Sequence, residues 1–115
     1  MKASKEFRDL VGELFEPMGC VAVKSMFGGA GVFCDGVMFA LIADDVLYLR
    51  VDEQNKADFD EQGLSQFIYK SPTKTVAMPY YEAPPSVFGA PDVAVSWGIA
   101  ALSAAQRSRP AKRRR

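Results

Sequence analysis

Residues 20–51 constrain this chain most, because turn chemistry interrupts them too often for any helix. Asp35-Gly36 is a favoured two-residue hairpin turn, and Asp44-Asp45 punctuates the chain in the same way. Gly28-Gly29 makes a further break. The segments left between are strand-length: 20–27, 30–34, 37–43 and 46–51. Strands joined by such short turns must run antiparallel. Segment 37–43 is nearly all apolar, as expected of a central strand. In the fourth segment Val46, Tyr48 and Arg50 share one face, and Leu47, Leu49 and Val51 the other.

Helices are expected on either side of this run. Phe7, Leu10, Val11, Leu14, Phe15 and Met18 recur at helical spacing, with Ser4 placed to cap the start and Pro17 and Gly19 to end it. A second helix is expected over 52–62, capped by Asp52 and stopped by Gly63. Two extended segments follow, 66–70 and 75–81, with Pro79 placing the second at an edge or a bulge. Residues 83–91 form a proline-rich loop. Asp92 then caps a last helix with Val93, Trp97, Ala100, Ala101 and Ala104 as its apolar stripe. Clustered antiparallel strands with interposed helices imply an α+β, two-layer domain. It has an antiparallel sheet of five or six strands and helices mainly on one face, in the order α-β3/4-α-β2-α.

At 115 residues the chain makes one domain with a core of its own. No apolar run approaches the ~20 residues of a membrane helix. The N-terminal lysines have no apolar stretch behind them, so no signal peptide is expected. Two cysteines without an export signal point to a reducing, cytoplasmic setting and reduced thiols, buried as small apolar residues. Histidine is absent, which removes Ser-His-Asp and Cys-His catalysis and every His-containing metal site. No carboxylate pair has diagnostic spacing. The expectation is a non-enzyme with no cofactor and no metal.

The net charge of zero hides an asymmetry. Residues 1–106 carry 8 Lys and Arg against 14 Asp and Glu, a formal charge of −6. Residues 107–115 carry the other six cations: Arg107, Arg109, Lys112, Arg113, Arg114 and Arg115. The expected organisation is a domain over 1–106 and a disordered basic tail over 107–115, able to touch nucleic-acid phosphates weakly and without reading bases.

Other candidate groups have a structural and a functional interpretation. Gly28-Gly29-Ala30-Gly31 could cradle a phosphate. No Lys-Ser/Thr follows it and it leads into a strand, so a positive-φ turn or bulge is expected instead. Cys20 and Cys34 lack the C-x-x-C spacing of a redox pair. Lys24, Ser25, Arg50, Lys70 and Lys74 would bind an acidic partner if they shared a face, and are otherwise solvated sheet positions. Of Tyr80 and Tyr81, one must face away from the core. With Phe88 and Trp97 they either form a docking surface or pack under the proline-rich loop.

Specific runs carry a resemblance. Met26-Phe27-Gly28-Gly29-Ala30-Gly31-Val32-Phe33, Asp35-Gly36-Val37-Met38-Phe39-Ala40 and Leu47-Tyr48-Leu49-Arg50 resemble the N-terminal domain of the bacterial TfoX (Sxy) competence regulators. Phe67 and Tyr69 after a glycine, Met78-Pro79-Tyr80-Tyr81, Pro84 and the alanine-rich Trp97 helix continue it, over roughly residues 5–105. The resemblance implies a secretion-chaperone-like α+β fold and a stand-alone N-terminal domain. It marks Met26, Phe27, Gly28, Gly29, Gly31, Asp35, Gly36, Tyr80, Tyr81 and Trp97 as structural or interaction positions. It implies no catalytic residue. The function it implies is a transcription-regulating, protein-interaction module with a protein partner and no membrane. Apolar strands in excess of what three helices cover add the expectation of a homodimer through a sheet face or edge. The alternative is a nucleic-acid-associated protein that uses its arginine-rich tail.

Overall fold

The computed structural model describes residues 2–26 and 28–108. Helix α1 spans Lys5–Leu14. The Ser4 Oγ caps it by accepting from the Phe7 N–H at 3.1 Å. The Ser4 N–H donates to Asp45 Oδ1 at 2.7 Å, and the Asp45 N–H to the Lys2 carbonyl at 3.1 Å. The entry to α1 is thereby tied to a turn 41 residues away. A 3-10 turn, Glu16–Met18, ends at left-handed Gly19. Val11 and Phe15 are fully buried, whereas Leu10, expected in the apolar stripe, is exposed.

Four strands follow: β1 Val21–Met26, β2 Gly29–Cys34, β3 Val37–Ala43 and β4 Val46–Arg50. Asp35 and Gly36 both take positive φ, as do Asp44 and Asp45. These are the mirror-image turns whose twist suits a two-residue hairpin. Helix α2 (Lys56–Glu61), β5 (Gln66–Lys70), β6 (Thr75–Glu82), a 3-10 turn (Pro85–Phe88) and α3 (Pro91–Arg107) complete the order. All neighbours in the sheet are antiparallel, in the order β1-β2-β3-β4-β6-β5. Strand β6 lies inside the sheet, and Pro79 falls in its irregular stretch, where β5 and β6 change register between Gln66 and Ile68. There Gln66 Nε2 donates to the Met78 carbonyl at 2.8 Å.

The helices pack on one side of the sheet. The register sends Val23, Val32, Ala40, Ile42, Leu47 and Leu49 toward them. A bulge in β3 sets Val32 opposite Ala40 but Phe33 opposite Met38. Phe39 is the extra residue, so both it and Ala40 enter the core, with Phe39 edge-on to Phe15 at 5.4 Å. Helix α3 lies against β3 and β4 through Ala94, Gly98, Ala101 and Ala105. Trp97, expected in that stripe, sits on its flank, edge-on to Phe59 at 5.0 Å.

Four expectations are corrected. Cys20 and Cys34 are joined in a disulfide rather than held as free thiols. Val21 pairs with Cys34 across the β1–β2 ladder, which leaves the two cysteine Cα atoms 4.7 Å apart despite the 14-residue separation. Asp52 does not cap α2. It closes a turn of its own, accepting from the Gln54 N–H at 2.9 Å, while buried Asn55 accepts from the Asp52 N–H at 2.8 Å. The cap position of α3 is Ala90, followed by Pro91, because proline's fixed φ suits a first helical residue. Arg107, assigned to the tail, is the last residue of α3 and grips Asp52 with Nε at 2.6 Å and Nη2 at 2.9 Å.

Candidate functional site

Among the described residues no helix lies on the far side of the sheet, yet that side is not polar. Alternation sends Met26, Phe33, Met38, Leu41, Tyr48 and Tyr80 to this open face. Leu41, Ala43, Phe67 and Tyr80 are buried there, with Met38, Tyr48 and Met78 packed against them. Tyr48 stacks on Phe67 with ring centres 4.9 Å apart. Burial pushes the Tyr48 hydroxyl pKa up, and Glu82 and Asp44 add to the shift.

A hollow of about 350 Å³ opens among these side chains. Met26 from β1 and Phe67 and Tyr69 from β5 all line it, although β1 and β5 are opposite edges of the sheet. The sheet must therefore curl toward this face. Met38, Leu41 and Met78 complete most of the wall. The lining is apolar and rich in methionine, a side chain that adapts to differently shaped guests. Gly31 makes the arrangement possible. A Cβ there would lie 2.7 Å from the Met26 sulfur, 2.8 Å from Phe33 Cε1 and 3.1 Å from the Met38 sulfur. Any side chain there would push those three aside.

A second hollow of about 300 Å³ adjoins the first and shares Met38 with it. Arg50, Tyr80, Val37 and Ser108 line it. The Arg50 guanidinium carbon sits 5.5 Å from the Tyr80 ring centre, a cation–π arrangement. Its Nε is shielded from solvent and has no hydrogen-bond partner among the described residues.

The residues singled out from the sequence fall in several places. Met26, Gly31 and Tyr80 meet on the open face. Gly28 has positive φ, as the turn required, but Gly29 does not; it opens β2 opposite Met26. Asp35 and Gly36 form the β2–β3 turn, and Gly36 rims the second hollow. Tyr81 faces the helices against Phe59 at 5.8 Å, and so does Trp97. The two tyrosines do point to opposite sides. Phe88 is exposed beside Phe7, with ring centres 6.1 Å apart. Phe27, Arg109, Lys112, Arg113, Arg114 and Arg115 lie outside the described residues.

The five scattered polar and basic positions do not share a face. Lys24 and Arg50 are on the open side, Lys24 5.4 Å from the Phe33 ring centre. Ser25 faces the helices, where its Oγ accepts from Arg8 at 2.7 Å. Lys70 and Lys74 flank the β5–β6 turn. Arg107 acts within the fold: its hydrogen bonds hold the Asp52 carboxyl down to about 2. Methionine, glycine and aromatic positions in the 26–41 run were the visible signal of the site. Met78, Phe67 and Tyr69 were visible as motif positions, Phe67 and Tyr69 on one strand face, but their meeting with Met26 was not, because it depends on the curl of the sheet.

No helix among the described residues is long and apolar enough to cross a membrane. The model of the TfoX N-terminal domain matches residues 13–105. The DNA transformation protein TfoX1 of Aliivibrio fischeri (strain ATCC 700601 / ES114) is 36% identical over 59 residues. That match covers 51% of this chain and 28% of the relative, so the chain spans well under a third of that protein's length. With the domain model matching most of the chain and the six-stranded α+β architecture in place, this protein belongs to the TfoX N-terminal domain family.

Proposed function

We propose that the domain is a non-enzymatic regulatory module that binds another protein through the open face of its sheet, in a competence-regulator-like role. The observation that carries this is the methionine-lined hollow on a sheet face that no helix covers. Exposed concave apolar surfaces of this kind mark binding sites more often than they mark plain surface. Membership of the TfoX family and the name of the Aliivibrio fischeri relative support the regulatory part.

The test is genetic and structural together. The gene is deleted in its host and replaced by wild type or by Met78→Asp, which puts a charge into the hollow. Transformation frequency and competence transcripts should fall with the variant, while its circular dichroism spectrum stays that of the wild type. Full activity of a folded Met78→Asp protein rejects the proposal. A second copy of the chain is the competing occupant of this face, and light scattering at high micromolar concentration separates dimer from monomer. The nucleic-acid alternative keeps five of its six cations, because Arg107 is engaged by Asp52. It requires DNA affinity that falls steeply with salt and disappears when residues 109–115 are removed.

A further inference from the structure

The two hollows meet at Met38, which walls both, and the second runs from the open face to the end of α3 at Ala105 and Ser108. One is apolar, and the other holds a cation. We propose that together they bind an acidic–apolar peptide segment of a partner protein. An apolar side chain sits among Met26, Met38, Phe67 and Met78, and a neighbouring carboxylate sits on Arg50. This rests on the open face being the interaction surface, and adds the chemistry of the partner.

Arg50 is the reason to specify a carboxylate. No acidic side chain of the described residues pairs with it, and none lines its hollow. Its Nε–H is withdrawn from water with no acceptor to replace it. Buried polar groups are almost always satisfied, so an orphan of this kind calls for an explanation. The enclosed Nε is out of a ligand's reach, but the terminal nitrogens of this half-buried guanidinium can receive an incoming carboxylate through paired, charge-assisted hydrogen bonds. The Tyr80 ring beside the guanidinium lowers the local polarity on that side, which strengthens such a pair relative to one on open surface.

A peptide fits better than a nucleic acid. A phosphate backbone is gripped by a row of exposed cations. Here one cation lines the hollow, and Lys24 lies away on edge strand β1. One carboxylate beside one apolar side chain matches that spacing of features.

The probes are acetylated heptapeptides with a Leu-Phe centre flanked by Asp and Glu, and the same peptides with Lys or Ser in the acidic places. The readout is methyl-labelled methionine NMR on the full chain, with the Arg50 Nε–H followed in parallel. The acidic peptides should shift the Met26, Met38 and Met78 methyl signals and bind at least tenfold more tightly than the lysine series. Arg50→Gln should abolish that preference and leave weak apolar binding, whereas Arg50→Lys should keep part of it. Equal binding of acidic and lysine peptides overturns this inference and leaves the open face as an interaction surface. No methyl shift from any peptide overturns both. Binding of a single-stranded oligonucleotide at Arg50 in place of the acidic peptide also overturns the inference. So do shifts that track protein concentration without peptide, which would make a second copy the occupant.

Discussion

The packing of α3 on the core can be tested by one substitution made at two places. Gly98 lies on the buried side of α3. A Cβ added there would come within 2.9 Å of the Met18 sulfur and of Phe15 Cδ1 and Cε1. The methionine tip can move. The Phe15 ring cannot easily move, because it is fully buried and locked edge-on to Phe39. Gly→Ala in a helix interior gains about 0.5–1 kcal/mol from backbone entropy. Overpacking a filled core costs about 1–3 kcal/mol. The packing term is the larger, so Gly98→Ala should destabilise by roughly 0.5–2 kcal/mol. Gly12 in α1 is the control, since its added Cβ would meet only Val23 Cγ2, at 3.9 Å. Gly12→Ala should therefore stabilise by up to about 1 kcal/mol. Urea denaturation of both variants, with unchanged m-values, reads the difference directly. If both substitutions stabilise equally, the close approach of α3 to Phe15 is not there, and the account of this helix fails.

Three further outcomes follow from the same structure. Gly31→Ala should cost under about 1 kcal/mol, because the nearest atoms include two movable methionine sulfurs, but it should alter the hollow. Methyl shifts at Met26 and Met38 larger than any change in melting temperature would show this. The Asp52 carboxyl has a folded-state pKa of about 2, below its unfolded value, so its contribution is present above roughly pH 4 and lost as pH falls toward 2. Acid unfolding of Arg107→Gln should lack that part of the pH dependence, and an unchanged profile would remove Arg107 as its cause. Reducing the disulfide frees a loop with a 14-residue separation, for which chain entropy gives about 3 kcal/mol. A urea midpoint that does not move on reduction would contradict it.

Where turn chemistry was local, the sequence was legible. Strands β3 and β5 begin and end where expected, and the positive φ values at Asp35, Gly36 and Gly28 fall at expected turns. Misreadings came where a distant residue decided the outcome. Asp52 has the look of a helix cap, but its carboxylate closes a local turn and takes an arginine 55 residues on. The disulfide depends on strand register, which spacing between cysteines does not reveal. The candidate site was half visible. Met26, Gly31 and Tyr80 stood out as motif residues, but Phe67, Tyr69 and Met78 join them only because β6 returns beside β4 and the sheet curls.

The sheet is not equally stitched throughout. Strands β1 to β4 form a continuous meander, and β5 and β6 a separate hairpin. They are joined by three paired positions: Tyr48 with Glu82, Leu49 with Tyr81, and Arg50 with Tyr80. That is the shortest ladder in the molecule, bordered by single bonds from Val51 N–H to the Pro79 carbonyl and from Ala83 N–H to the Leu47 carbonyl. Cooperative units tend to follow such supersecondary pieces, and local opening starts where few bonds must break together. The line between β4 and β6 is therefore the weakest seam of the described sheet, with Met26 and Leu41 on one bank and Phe67 and Met78 on the other. Amide protons along it should exchange before those of the meander. Opening there would part Tyr48 from Phe67 on one face and Leu49 from Tyr81 on the other, so the width of the cleft is tied to the same few bonds.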